Sequence, residues 1–168
     1  GGEILFIETA KIRGDGKVKV TGQLGDVMKE SVQIALTLAK SMFPEEAEAL
    51  KKSDLHIHVP AGAVPKDGPS AGITIVTALA SMLLNKGISP EFAMTGEVSL
   101  RGGVMPIGGL PEKLMAAQRA GIKTVFIPYD NREDLEDVAE EVKAELHIIP
   151  VKRVEEVLKQ TGLISEKQ

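Results

Sequence analysis

The longest apolar stretch of the chain runs from Ile73 to Leu84 and is interrupted only by Thr74, Thr77 and Ser81. It is too short to cross a membrane and predicts a helix buried on all sides, ending near Asn85. Upstream, alternation over Ile4–Thr9 and Lys17–Thr21 predicts two strands, and Arg13-Gly14-Asp15-Gly16 between them has the chemistry of a hairpin turn. From Gly25-Asp26 onward, Met28, Val32, Ala35, Leu36, Ala39, Met42 and Phe43 form one helical stripe. Pro44 opens a second, acidic helix reaching Lys52. Leu55–Val59 then reads as a short strand, followed by a loop over 60–69.

The second half punctuates differently. Phe92–Leu100 and Val104–Ile107 read as strands around Arg101-Gly102-Gly103, and Pro111–Ala120 as a helix ended by Gly121. A strand at Thr124–Pro128, a charged helix at Arg132–Val142, a strand at Leu146–Val151 and a helix at Val154–Gln160 stopped by Gly162 complete the pattern. Strand hairpins come first and β-α alternation only later, which predicts an α+β fold and not a doubly wound sheet. One domain over 1–162 with a loose tail at 163–168 is expected.

Composition narrows the function classes. The chain has 168 residues, enough for one substantial core, and a net charge of −4, which argues against a nucleic-acid partner. Aromatic residues make up 3% and tryptophan is absent, leaving few platforms for stacking bases or sugars. There is no cysteine, so disulfides and thiol catalysis are excluded, and a reducing cytoplasm is the expected location. No signal peptide or membrane span is evident. A strand-like segment follows Gly1-Gly2 at once, without an initiator methionine, as in a domain taken from a longer chain.

The candidate chemistry centres on Pro65-Lys-Asp-Gly-Pro-Ser-Ala-Gly72, which leads into the buried helix. Ser70 fits a helix cap, and it also fits a nucleophile that would gain from the helix dipole. A serine nucleophile needs a base, and two are in view. Gly68-Pro-Ser-Ala-Gly72 matches the Gly-x-Ser-x-Gly elbow of α/β-hydrolases, with Asp130 or Asp137 and then His147 in the required order. That elbow needs a strand running into the serine, and Pro65 and Pro69 are unsuited to one. His147 sits among apolar neighbours as an ordinary strand residue would. The second base is Lys113, at the start of a helix with Ala116, Ala117 and Ala120 on its side. Close packing of that alanine face would draw the amine into apolar surroundings and favour its neutral form. A solvated lysine is the plainer alternative. His56 and His58 share a strand face, but no third ligand follows at a recognisable spacing and no metal is assigned. No phosphate-loop motif is present; a glycine-rich loop before a helix could still cradle phosphate, though Asp67 would repel it.

Several segments in this order carry a resemblance. Pro65-Lys-Asp-Gly-Pro-Ser-Ala-Gly72, Thr95-Gly-Glu97, Arg101-Gly102 and Pro106-Ile-Gly-Gly-Leu-x-Glu-Lys113 resemble the proteolytic domain of the Lon proteases. So do Gly22-Gln-Leu-Gly-Asp-Val-Met-Lys-Glu-Ser31 and His56-Ile-His-Val-Pro60, so the match covers nearly the whole chain. Pro111 stands where many relatives carry lysine and Ala61 where they often carry glutamate. The resemblance implies the Lon proteolytic fold, similar to domain 2 of ribosomal protein S5, and a Ser-Lys dyad endopeptidase with Ser70 as nucleophile and Lys113 as base. It further implies Thr95 near the lysine, and Asp67 as a partner for Lys113 when the site is inactive. An aspartate before glycine more commonly bonds its own turn, and Thr95 fits a plain strand residue equally well. No cofactor is implied for this domain; ATP and magnesium belong to a AAA+ module that this sequence lacks. Unfolded or damaged polypeptides are the implied substrates and a homohexameric ring the implied assembly.

Overall fold

The computed structural model describes residues 7–22, 25–60 and 71–165. The N-terminal half contains β1 (Glu8–Arg13), β2 (Val18–Gly22), α1 (Asp26–Met42), α2 (Pro44–Ala49) with a 3₁₀ turn at Leu50–Lys52, β3 (Ser53–Val59) and α3 (Gly72–Leu84). The second half contains β4 (Phe92–Met94), β5 (Glu97–Val98), β6 (Val104–Met105), α4 (Leu110–Arg119), β7 (Thr124–Pro128), a 3₁₀ segment at Tyr129–Asp137, α5 (Glu140–Glu145), β8 (His147–Val151) and α6 (Val154–Gln160). The result is a mixed α+β architecture with small sheets. The start of the expected Ile4–Thr9 strand, the loop expected over 60–69 and the end of the expected tail (166–168) fall outside the described residues, apart from Pro60.

No residue from Ala71 to Leu84 is exposed. Ile73, Ile75, Val76, Leu79, Ala80 and Leu83 all enter the larger core, as the apolar run predicts. The polar interruptions are satisfied internally: Thr77 Oγ1 donates to the Ile73 carbonyl at 2.7 Å, and Ser81 donates to the Lys86 carbonyl. Asn85 ends the helix in the left-handed conformation, φ 54°, with Asn85 and Lys86 N–H groups closing on the carbonyls of Met82 and Ser81. Around α3 stand α1, α6, β1 and β5. α1 buries Met28, Val32, Ala35, Leu36 and Ala39 of the expected stripe. The core extends past the expected boundary at 162, because Leu163 is buried and Ile164 packs against it.

Three expectations fail, each because of a contact between distant residues. β1 and β2 are not a hairpin: β3 lies between them, antiparallel to β1 and parallel to β2. The supposed turn instead wraps the start of β3. Gly14 and Gly16 donate to the carbonyls of Lys52 and Ser53, and the Asp54 carboxylate accepts from the N–H groups of Asp15 (2.9 Å) and Lys17 (3.0 Å). The expected strand Phe92–Leu100 is two strands in different sheets. Gly96, φ 152°, redirects the chain where a Cβ would meet Val104 Cγ1 at 2.8 Å. The expected helix Arg132–Val142 is a 3₁₀ segment and the separate α5, because Asn131 is drawn inward to the backbone of Ile107.

The C-terminal sheet runs β4-β7-β8, all parallel. Its two faces serve different cores. Phe92, Met94 and Phe126 turn to the α3 side, whereas Ala93, Val125 and Ile127 pack with Leu110, Leu114 and Ala117 of α4.

Hydrogen bonds from the backbone N–H groups of Lys17 and then Asp15 hold the Asp54 carboxyl below its ordinary pKa of 3.8. Its contribution to stability is therefore full above that value and is lost as pH falls through the lower folded value. Asp54→Ala should lower the thermal midpoint at pH 7, with the gap to the parent closing below pH 3.8. Equal melting curves at pH 7 would remove Asp54 as the anchor of this loop.

Candidate active site

Two helices present their N-termini to the same edge of the parallel sheet. α3 runs back along the sheet into β4, and the N–H of Ile73 in its first turn donates to the Gly96 carbonyl at 3.0 Å, just beyond the C-terminal end of β4. α4 precedes β7 in the same sense on the opposite face, so its first turn faces the same C-terminal edge. In open parallel sheets that edge is where reactive groups gather. Ser70 and Asp67 lie outside the described residues; Ser70 is two positions before the first residue of α3.

Thr95 follows β4 directly and is 7% exposed. Its N–H donates to the Phe126 carbonyl at 3.1 Å, extending the pairing of β4 with β7 to the sheet edge. Lys113 is half-buried in the first turn of α4, behind Gly109 as cap and Pro111. Its Nζ donates to the Gly108 carbonyl at 2.8 Å, so the amine folds back over the entrance to its own helix. The stripe that packs α4 is Leu110, Leu114 and Ala117, not the expected alanine face; Ala116 is half-buried and Ala120 exposed. Lys113 consequently sits at the rim of this packing and is not enclosed by it.

His147 occupies the opposite edge. It opens β8 and pairs with Thr124 at the start of β7, while Asp130 comes just after β7 ends. A five-residue strand separates those edges by roughly 13–17 Å, so His147 and Asp130 do not form the pair an esterase-like triad needs. Asp137 is exposed at the end of the 3₁₀ segment. His56 Nε2 and His58 Nδ1 both bond the Thr21 hydroxyl, at 2.7 and 2.8 Å. Among the described residues no group of three or more histidine, aspartate or glutamate side chains is placed to hold a metal.

Two features were not legible in advance. Asn131, 3% exposed, accepts from the Ile107 N–H at 2.9 Å and donates to the Ile107 carbonyl at 2.8 Å and to Asp134. It thereby fixes the segment whose next carbonyl, that of Gly108, receives Lys113. Glu97 is buried beside the first turn of α3 and accepts from Ser31 Oγ at 2.7 Å. Asn131 stands in a polar stretch that reads as surface and Glu97 in an expected strand, and only the tertiary pairing shows where each side chain bonds. A carboxylate at that helix end also disfavours the phosphate-cradle alternative.

Comparison with known proteins places the chain in a family. Residues 1–163 match the Lon protease (S16) C-terminal proteolytic domain. The chain belongs to this family, a family of serine peptidases. It is 58% identical over 165 residues to a Lon protease of Clostridium beijerinckii, covering 98% of the chain and 21% of that relative. Identity to a Lon protease of Methanosarcina barkeri is 53% over 162 residues (95% and 20%), and to that of Escherichia coli K12 it is 54% over 161 residues (94% and 20%). The chain thus spans about a fifth of the length of these relatives.

Removing the Asn131 side chain orphans both backbone groups of Ile107. Asn131→Ala should cost about 1–3 kcal/mol in urea unfolding, and an unchanged midpoint would show that the bridge contributes nothing net.

Proposed function

We propose that this chain hydrolyses peptide bonds within polypeptides, with Ser70 as nucleophile and Lys113 as general base. The observation that carries the reading is the convergence of the first turns of α3 and α4 on one sheet edge, with Lys113 Nζ anchored on Gly108 and Thr95 at the same edge. An amine that spends one N–H on a carbonyl has its lone pair directed elsewhere. In the neutral state it takes the proton of the serine hydroxyl as Oγ attacks the substrate carbonyl. The tetrahedral intermediate collapses when the same group, now an ammonium, protonates the leaving amine. Water then attacks the acyl-enzyme, with Lys113 again accepting the proton. Backbone N–H groups near the serine supply the oxyanion donors.

The finer features of the reading are proposed with family membership as their support. The fold is that of the Lon proteolytic domain, similar to domain 2 of ribosomal protein S5, with a unit that runs just past the expected 1–162 to Ile164 and a short tail beyond. Thr95 orients the Lys113 amine, and Asp67 pairs with it in the resting site. The parent protein couples this domain to a AAA+ ATPase, works as a homohexamer in the cytoplasm, and degrades unfolded or damaged proteins. Among the described residues no helix is long and apolar enough to cross a membrane.

A serine-reactive phosphonate should label the chain at Ser70, mapped by peptide mass spectrometry. Ser70→Ala should abolish labelling, Lys113→Ala should reduce peptide cleavage about 100-fold or more, and His147→Ala should retain it. Labelling at another residue, or the reverse pattern for the two bases, would refute the dyad. Asp67→Asn should alter the pH profile of cleavage; an unchanged rate and profile would remove Asp67 from the site.

A further inference from the structure

Glu97 is 7% exposed and forms no ion pair among the described residues. Its carboxylate is held by neutral donors: Ser31 Oγ at 2.7 Å on Oε2 and the N–H of Val98 at 3.2 Å on Oε1. Burying a carboxylate without a cation is costly, so further compensation is required. It comes from α3. Oε1 faces Gly72, the first residue of that helix, so closely that a Cβ there would overlap the carboxylate oxygen and approach the Val98 nitrogen to 2.9 Å. α3 has Ala71 at its cap position and no side-chain cap of its own. The positive end of this 13-residue helix therefore meets a carboxylate supplied by another element.

We propose that Glu97 is a positioning residue: it ties the first turn of α3 to α1 through Ser31 and to β5 through its own backbone, and so fixes where the serine two residues upstream arrives. This rests on the reading of Ser70 as the nucleophile. It also gives the second glycine of Gly68-Pro-Ser-Ala-Gly72 a physical reason. Gly72 does not have a positive φ, and what it provides is the space that the Glu97 carboxylate fills. The neighbouring bond from Ile73 N–H to the Gly96 carbonyl closes the same tie from the backbone side. Thr95-Gly96-Glu97 thus acts as one clamp, with its last two residues held against the first turn of α3.

The test uses this chain and its Glu97→Ala, Glu97→Gln and Gly72→Ala variants. The measurements are peptide hydrolysis, phosphonate labelling rate and amide hydrogen exchange resolved by segment. Glu97→Ala should lower kcat and the labelling rate roughly 10- to 100-fold, as misplacement of a reacting group does, with KM little changed. Gly72→Ala should do the same by expelling the carboxylate. Glu97→Gln keeps the shape and one acceptor oxygen, and should recover part of the loss. In all three, exchange should quicken in the first turn of α3 while α1 and the parallel sheet keep their protection. Wild-type kcat in Glu97→Ala would overturn the proposal, as would exchange raised evenly across the whole core. If Glu97→Ala does not fold, Glu97→Gln decides through exchange: selective loosening of that turn supports the tie, and its absence refutes it. Failure of the underlying reading is separable, because it shows as labelling of the unmodified chain away from Ser70.

Discussion

α3 has no exposed residue and buries most of its circumference, and the other elements are arranged around it. A helix with no exposed residue between Ala71 and Leu84 cannot be accommodated at a surface, so α1, α6, β1 and β5 must enclose it. Each fully buried aliphatic side chain contributes about 1.5–3 kcal/mol, and truncation in such a core costs about 2–5 kcal/mol because the cavity does not fully collapse. The position and axial rotation of α3 are therefore tightly fixed.

The parallel sheet β4-β7-β8 supplies the second half of the arrangement. Alternation along β7 assigns Phe126 to one core and Val125 and Ile127 to the other, so a single strand registers α3 against α4. The two helices never need to touch for their N-termini to be held in a defined relation. The short β5–β6 hairpin joins the structure to its C-terminal end, since Val104 bonds the Lys152 carbonyl and Val154 bonds that of Gly102. The segment bearing Thr95 and Glu97 and the segment leading to Lys113 are consequently stabilised by the same neighbours.

Elements defined by their own periodicity were legible in the sequence. Thr124–Pro128 and Val154–Gln160 fall where pattern and punctuation predict, and the stripe of α1 buries as expected. What failed was pairing. Alternation reveals that Val18 and Val20 face inward, but nothing local reveals that β3, more than thirty residues away, separates them from β1. The Arg132–Val142 segment has helix-forming residues, yet Asn131 gains more by satisfying Ile107 than by extending a helix. The candidate site divides along the same line. Ser70 and Lys113 are conspicuous through glycine and proline placement around them, whereas Ser31 and Glu97 resemble any polar residues of a helix and a strand. Their importance arises only from the helix end they meet.

The Glu97 carboxylate also changes the field that α3 projects. An isolated helix end attracts negative charge over several ångströms, and that attraction is commonly credited with making a nearby hydroxyl more acidic. Here the Glu97 carboxylate stands against the positive end and offsets part of that attraction at the first turn of α3. A group placed just before such a helix meets a weaker positive potential than a helix end without a facing carboxylate would offer. On the proposed reading of Ser70 and Lys113, deprotonation of the hydroxyl then rests on the base more than on the helix end.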